Sequence, residues 1–369
     1  MNPRSEMPRP VPYSDQVEQL SADEQDSIRE LVDTLLSISR TVYRDSGHAE
    51  RGVHAKSHAL LEGELKIIEP LPEILRQGLF SETARYPVVL RLSTIPGDVL
   101  ADSVSVPRGL AIKVGGVQGE RLPGSESDRT QDFVLVNAPA FSAPDAKTFL
   151  KSLKLLAATT DRAETGKKVL SAALRGAETL VEAAGGESAT LKTMGGQPQT
   201  HPLADAYYSQ APLRYGQYMV KLAAVPTAQA MTRLEGETLK LLGAPDGLRH
   251  ALRDYFAEHG AEWELRVQLC TNLESMPIED ASVIWPEDES PYITVGRITV
   301  PSQASWSEAR STAVDDRMAF SPWHGLAAHR PLGSVMRVRK DTYEASARFR
   351  GERNACPIVE PQQLPSLAE

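Results

Sequence analysis

The chain of 369 residues is poor in cysteine, has no long apolar run and carries fewer basic than acidic residues. Its two cysteines, Cys270 and Cys356, form neither a metal-binding Cys-x-x-Cys pair nor a disulfide framework. No stretch approaches the roughly 20 apolar residues that a membrane-spanning helix needs. The N-terminal 20 residues are rich in proline and charge rather than in the apolar residues of a signal peptide. These absences predict a protein of the reduced cytoplasm.

The charge balance narrows the class of partner. Forty Lys and Arg against 49 Asp and Glu give a formal net charge of −9. An acidic chain is a poor general ligand for nucleic acid or for anionic membranes. We therefore expect any local cluster of basic residues to bind a local anion.

The N-terminal part predicts one amphipathic helix. Apolar residues at helical spacing run through residues 21–42 and form a single stripe: Ile28, Leu31, Leu35 and Ile38. Ser21 and Glu24 are spaced as a capping box at its start. We expect the stripe to dock onto the core, and residues 1–14 to form a loose arm.

The pattern after residue 56 predicts an α+β chain with mainly antiparallel strands. Short apolar or alternating runs follow one another without intervening helices, which favours an antiparallel barrel. The predicted strands are 59–69, 86–92, 109–114, 133–136, 213–224, 263–271 and 292–300. Helical character is predicted within 145–190, with a helix over 167–184 that ends at Gly185-Gly186, and over 245–259. We predict an arm over 1–20, one main domain over 21–360 and a tail over 361–369.

Basic residues recur at the edges of these strands. Arg51 lies three residues before His54, Arg91 follows a strand, and Arg108 begins the next one. Arginine is the residue that best binds planar carboxylates and phosphates. Three arginines beside a histidine therefore indicate an anionic ligand at one end of the barrel.

Near the C-terminus, Arg339 and Tyr343 are four residues apart, so on a helix they share a face. A free phenol has a pKa of about 10, and burial would raise that pKa further. A nearby cation can lower it by roughly 1–3 units. The pair could therefore support a buried phenolate, particularly beside a metal ion.

Taken together, these segments resemble the catalase family. The resemblance is carried in chain order by Arg51-x-x-His54-Ala-Lys56, Pro87-x-x-x-Arg91-Leu-Ser93-Thr94, Ala101-Asp102 to Lys113, Asp132 to Phe141, Trp285-Pro286 to Arg297, and Arg339-x-x-x-Tyr343 with Arg348 and Arg350. Leu92 stands where the family usually has Phe. The resemblance implies a catalase-type eight-stranded antiparallel β-barrel with surrounding helices, which would make residues 21–360 a haem domain.

The resemblance also implies roles for individual residues. Tyr343 would be the axial iron ligand, with Arg339 holding it ionised, and His54 would move the peroxide proton. Arg51, Arg91 and Arg350 would bind the haem propionates. Ser93 would hydrogen-bond to His54. The haem pocket would be shaped by Val53, Phe141 and Phe149.

The sequence departs from the family pattern at one catalytic position. The family has two adjacent asparagines before Thr-Pro, and the first is catalytic. Here Val136 takes the first position and Asn137 the second. Because successive strand residues face opposite sides, Asn137 could reach the iron only if the strand has a bulge. With that bulge, we predict Asn137 as the catalytic distal amide.

Two further features favour the short, catalase-related branch, which includes small haem peroxidases and allene oxide synthases. The chain ends soon after the Tyr343 helix, so no flavodoxin-like domain is expected, and no NADPH-binding part is recognisable. Haem b is the expected cofactor. The expected substrates are a small-molecule peroxide and an organic electron donor. Family habit suggests a homo-oligomer, namely a dimer.

Three functions stay open on the sequence. One is a peroxidase or catalase-like enzyme that reduces hydrogen peroxide or organic hydroperoxides through a ferryl intermediate. Another is a lipid hydroperoxide isomerase or lyase of the allene oxide synthase type, and the third is a haem carrier or sensor. Coral-type allene oxide synthases have Thr beside the distal histidine, so Val53 favours the first function. A distal base such as His54 argues against the third.

Overall fold

Nine strands form one antiparallel sheet in this computed structural model, which describes residues 9–157 and 199–367. The strands are β1 Ser57–Ile67, β2 Arg85–Thr94, β3 Arg108–Gly115, β4 Thr130–Val136, β5 Tyr207–Tyr208, β6 Leu213–Tyr215, β7 Tyr218–Pro226, β8 Ala261–Leu269 and β9 Ile293–Val300. Their order is β5-β4-β3-β2-β1-β9-β8-β7-β6.

Eight of these strands close into a barrel. The two-residue strand β5 pairs with β4 through Tyr208 and Val136, and with β7 through Tyr207 and Ala224. Strand β6 pairs with β7 alone and stays outside the ring. The predicted eight-stranded antiparallel barrel is therefore confirmed, with helices around it.

Apolar side chains of the barrel strands form a common buried core. In β8, alternate residues from Ala261 to Leu269 are buried, and Trp263 and Leu265 are fully inaccessible. The predicted strand over 213–224 is divided in two, since Gly216 adopts a φ of 61° between β6 and β7. A left-handed φ is readily adopted only by glycine.

The described helices are α1 Glu24–Ser46, α2 Ala146–Ala157, α3 Gln229–Thr232, α4 Gly247–Glu258, α5 Glu308–Ser311 and α6 Ser334–Arg353. A π-helical segment, Thr312–Asp316, continues α5. The predicted helix over 167–184 lies outside the described residues. Among the described residues, no helix has both the length and the apolar composition that crossing a membrane requires.

Helix α1 docks onto the core as predicted. Its stripe, including Leu31 and Leu35, packs with residues of α2 and with Val338 of α6. The capping-box prediction is wrong, because α1 begins at Glu24 and its N-cap residue, Asp23, makes no side-chain cap bond. The tertiary contacts of the stripe, rather than Ser21, determine where the helix lies.

Both ends of the described chain lie against the barrel. The backbone N–H of Val11 donates to the Cys270 carbonyl at 2.8 Å, and that of Tyr13 donates to Gln217 at 2.7 Å. Residues 9–14 are thus docked. This finding corrects the prediction of a loose arm over residues 1–14 for the part of it that the structure describes. Near the other end, Leu364 packs against Gly115 and belongs, with Leu367, to an apolar cluster on the barrel.

Candidate active site at the end of the barrel

His54 lies immediately before β1 in a backbone conformation that is uncommon for a non-glycine residue, with φ of 55°. Its N–H donates to the Ile95 carbonyl at 2.6 Å, and the next N–H, of Ala55, donates to Pro96 at 3.0 Å. Such conformations persist where surrounding bonds enforce them, and they are concentrated at functional sites. The two bonds therefore hold the imidazole in a set position at the end of β2.

The His54 ring is held between β2 and β3. Its Nδ1 lies 3.0 Å from the Ser93 hydroxyl. Ser93 pairs directly with Gly109, and a Cβ at Gly109 would lie 2.4 Å from Cε1 of the ring and 2.5 Å from Nδ1. Only a glycine leaves room for the ring here, which is one of the established uses of glycine in a strand.

The pocket keeps His54 neutral. Its enclosure, followed by the positive charges of Arg91, Arg339 and Arg51, lowers the pKa of His54 to about 3. A neutral imidazole whose Nδ1 faces a hydroxyl can use its other nitrogen as a proton acceptor. His54 is therefore neutral at neutral pH, with its second ring nitrogen available as an acceptor.

Tyr343 faces the same pocket from α6. It lines a lobe of about 50 Å³ together with His54 and Ser93, and it is partly exposed. No described residue forms a hydrogen bond with its hydroxyl. A phenol oxygen without a protein partner is available to an added ligand or metal.

Arg339 is one helical turn before Tyr343, yet its guanidinium has other contacts. It lies 5.5 Å from the ring centre of Phe141, and its Nη1 is 3.3 Å from the Met336 sulfur. No hydrogen bond joins it to the Tyr343 oxygen in the described part of the chain. Its charge does reach the pocket, since it contributes to the lowered pKa of His54.

The three arginines expected to bind carboxylates converge on a single acid, Asp315. Its Oδ1 accepts from Arg51 Nη1 at 3.0 Å and from Arg91 Nε at 2.7 Å. Arg350 Nη1 donates to its backbone carbonyl. The three guanidiniums are mostly buried, and all three residues line the two lobes described below.

The residues predicted to shape the pocket divide into two groups. Val53 lines the space between His54 and Tyr343 directly. Phe141 and Phe149 contact each other in a tilted arrangement, with ring centres 5.0 Å apart and ring planes inclined by 58°. Phe149 also packs with Val53 against the α1–α2 cluster. The two rings therefore support the wall behind the pocket.

Asn137 is held away from the pocket between His54 and Tyr343. Its Nδ2 donates to Asp205 at 2.9 Å, and its Oδ1 accepts from the Arg108 backbone at 2.8 Å. The register of β3 with β4 runs without a bulge to Gly109 and Val136, so Val136 is the residue on the face of Ser93 and Gly109. The bulge on which the predicted role of Asn137 depends is absent from β4, and that role stays a prediction.

Three cavities meet at Tyr343. Two are lobes of about 50 Å³ each, and both are lined by Arg51, Val53 and Phe320. The third is a cleft of about 560 Å³ on the neighbouring face of α6, bounded by Arg348 and Glu360. Ligand pockets commonly measure roughly 300–1,000 Å³, so a porphyrin would require the two lobes to merge by movement of the side chains between them.

The donor set nevertheless fits a haem. A phenol oxygen without a protein partner, a neutral histidine and a buried arginine cluster are the groups that an iron porphyrin with two carboxylates needs. The buried Nε of Arg350 has no hydrogen-bond partner among the described residues, and a buried donor of this kind normally finds one. The carboxylate of a ligand in the adjoining lobe would supply that partner.

Sequence reasoning missed three participants. Gly109 was part of a motif but had no assigned role, Phe320 was not connected with the pocket, and Asp315 was not singled out. The motif around Gly109 carried a usable signal, because a glycine inside a predicted strand often marks a close approach of another group. Asp315 carried none, since its contacts join residues 224 and 264 positions away.

Comparison with solved structures assigns the fold. The chain is similar to a fungal catalase (TM-score 0.55, 19% identity, 85% of this chain and 61% of that one). It is also similar to catalase A of Saccharomyces cerevisiae (TM-score 0.55, 18% identity, 95% and 69%) and to a bacterial catalase (TM-score 0.55, 17% identity, 95% and 64%). The chain therefore has the catalase fold, over about 61–69% of the length of these three proteins. No family model matches the sequence, and no curated protein matches it in sequence.

Proposed function

We propose that this protein binds haem b between His54 and Tyr343 and reduces hydrogen peroxide or organic hydroperoxides, as a peroxidase or catalase-like enzyme. The observation that carries the proposal is a single pocket lined by a neutral histidine and an unbonded tyrosine hydroxyl. The catalase fold supports it independently.

The chain offers a complete set of groups for holding the cofactor. Tyr343 would bind the iron through its phenol oxygen, and Arg339, one helical turn before it, would add a positive charge to the same end of the pocket. Arg51, Arg91 and Arg350 would pair with the propionates. When bound, haem supplies the iron that takes up the oxidising equivalents of the peroxide.

His54 performs the proton transfer in this proposal. Its pKa of about 3 leaves it neutral, so it can accept the proton of an incoming hydroperoxide and return it to the departing oxygen. The Ser93 hydroxyl, 3.0 Å from Nδ1, orients the ring and leaves the other nitrogen for the substrate. Asn137 remains the sequence-based candidate for a distal amide, and acting there would require it to give up its bond to Asp205.

Two features favour reduction by an external donor over isomerisation of a lipid hydroperoxide. Val53 presents an apolar neighbour to His54, which leaves the imidazole free to act as a base. The cleft of about 560 Å³ reaches Tyr343 from the other side and could admit an organic donor. A haem carrier would need neither the base nor the cleft.

The decisive experiment combines an absorption spectrum of the haem-reconstituted full chain with four assays: peroxide consumption, donor oxidation, oxygen release and loss of a lipid hydroperoxide. We expect a haem spectrum, peroxide consumption and oxidation of an organic donor. Release of oxygen from hydrogen peroxide would identify catalase activity, whereas loss of a lipid hydroperoxide without oxygen or donor oxidation would identify an isomerase. Failure to bind haem would overturn the proposal.

The variant His54→Ala tests the proposed role of His54 in proton transfer. General acid–base catalysis is worth about 10²–10⁴-fold in rate, so we expect a loss of that size with the haem spectrum retained. An unchanged rate would remove His54 from the mechanism. We also propose that the protein is a homodimer and is cytoplasmic. Light scattering of the purified protein tests the dimer, and cell fractionation tests the location.

A further inference from the structure

Asp315 is the one described acidic residue that contacts all three arginines of the pocket, through its carboxylate with Arg51 and Arg91 and through its backbone carbonyl with Arg350. Besides its bonds from Arg51 and Arg91, its Oδ2 accepts from Ser57 at 2.7 Å and from Ser311 at 2.9 Å. Every lone-pair direction of this carboxylate is therefore used. An acid held this completely is a fixed charge rather than a mobile surface group.

Direct contacts leave donors of the arginine cluster without an acid. Burial raises the pKa of Asp315, but the guanidiniums of Arg91 and Arg51 outweigh burial and hold that pKa well below its usual value. Among the described residues, Asp315 is the one acid that forms ion pairs with these guanidiniums, while Glu50 and Asp316 act on the cluster at longer range. Arg350 is bonded by carbonyl oxygens alone, and its buried Nε has no partner in the described part of the chain. That donor group borders the lobe that Arg51 and Arg350 line.

The backbone around Asp315 suits a positioning role. It lies in the π-helical segment Thr312–Asp316, a rare geometry that is frequent at functional sites. This turn directs the side chain to Arg51 and Arg91 and the carbonyl oxygen to Arg350. One residue consequently fixes three guanidiniums that come from the segment before β1, from β2 and from α6.

We propose that Asp315 is an internal counter-anion: it positions Arg51, Arg91 and Arg350 while the pocket holds no anion, and leaves them enough positive charge to bind a dianion. The identity of that dianion as the two carboxylates of a porphyrin rests on the proposed function. The role of Asp315 in the unloaded protein does not. Asp315 acts here through the arginines, so it is a positioning residue.

The test compares Asp315→Asn with wild type and with Asp316→Asn. The neighbouring Asp316 pairs with His48 at 2.8 Å and makes no hydrogen bond to the three arginines, so it is a matched control. Thermal unfolding of the full chain is measured in three conditions: without added anion, with millimolar phosphate at constant ionic strength, and after loading with haem.

For Asp315→Asn without anion, we expect a Tm about 5–10 °C below wild type, because breaking a buried ion pair is costly. Phosphate should recover at least half of that loss, and haem should recover most of it. Asp316→Asn should show a smaller loss that neither anion recovers. A Tm loss for Asp315→Asn that is equal in all three conditions would overturn the proposal.

A second variant covers the case in which Asp315→Asn does not fold. The double variant Asp315→Asn/Arg51→Gln removes one positive charge along with the negative one. If charge imbalance is the cause, the double variant should fold and unfold at a higher temperature than Asp315→Asn. A double variant that also fails to fold would reject the counter-anion role. Wild-type protein that responds to phosphate but not to haem would instead refute the proposed function alone.

Discussion

The hydroxyl of Ser93 lies 3.0 Å from Nδ1 of His54, although the two residues are 39 positions apart in the chain. The bond joins the C-terminal end of strand β2 to the segment before β1. It occupies Nδ1 and leaves the opposite nitrogen of the ring open, so the orientation of the imidazole depends on a neighbouring hydroxyl.

Removing that hydroxyl should slow the peroxide reaction without removing the base. We expect Ser93→Ala to lower kcat/KM for peroxide about fivefold, which corresponds to the roughly 1 kcal/mol of a typical hydrogen bond. Ser93→Thr keeps the hydroxyl and should retain most of the rate. Stopped-flow kinetics of the haem-loaded proteins measures both, and equal rates for wild type and Ser93→Ala would show that the bond is unimportant.

Gly109→Ala should displace the imidazole. The added Cβ would lie 2.4 Å from Cε1 of His54, closer than non-bonded carbon atoms approach. A misplaced catalytic group can cost about 10²-fold in rate, and we expect a loss of that order with haem binding retained. Gly351→Ala is the control, since its added Cβ would meet the Cys356 carbonyl at an ordinary 3.4 Å. A fully active Gly109→Ala protein would contradict the close packing at this position.

Tyr343→Phe should weaken haem binding. The variant keeps the ring and the lining of the pocket but loses the oxygen proposed to bind the iron. We expect the affinity to fall by more than the roughly 10–100-fold that loss of an outer-sphere partner costs, with a changed visible spectrum. Tyr43→Phe is a suitable control. Tyr43 lies in α1 and packs against Phe349 of α6, the helix that carries Tyr343, at 6.2 Å between ring centres. An identical spectrum and affinity for Tyr343→Phe would refute the ligand assignment.

Stability should depend on His54 at acid pH. Its pKa is lowered from the ordinary value of 6.5 to about 3 in the folded protein. Between these values the unfolded chain binds the proton and the folded protein does not. Folding free energy is therefore lost as the pH falls from about 6.5 towards 3. Chemical denaturation of wild type and His54→Gln across this range should show a smaller acid-induced loss in the variant, and parallel curves would contradict the lowered pKa.

Asn137 can be tested against its own contacts. If its amide is held for structure by Asp205 and by the Arg108 backbone, Asn137→Ala should lower the Tm by a few degrees. The peroxide rate of the folded, haem-loaded variant should then change less than tenfold. A rate loss of 10²-fold or more at an unchanged Tm would instead establish the catalytic role predicted from the sequence.

Much of the fold was predictable because it follows from local pattern. The apolar stripe of α1 and the alternation in β1 and β8 are properties of consecutive residues, so they can be read without a structure. The motifs around His54 and Tyr343 were assigned to one site through the resemblance to the catalase family, and the structure brings both residues to one pocket. What could not be predicted were contacts between distant segments. The closure of the barrel by the two residues Tyr207 and Tyr208 is one example, since so short a strand has no periodicity.

The sequence by itself determined which side chains are available: a histidine, a tyrosine, three arginines and the strands and helices that carry them. Tertiary structure alone decided how they are used. It brought Arg51, Arg91 and Arg350 to Asp315, placed Gly109 against the His54 ring, and turned Asn137 towards Asp205. The reason is physical: side-chain type and local pattern are encoded residue by residue, whereas barrel register and strand closure determine which groups share a face and which charges meet.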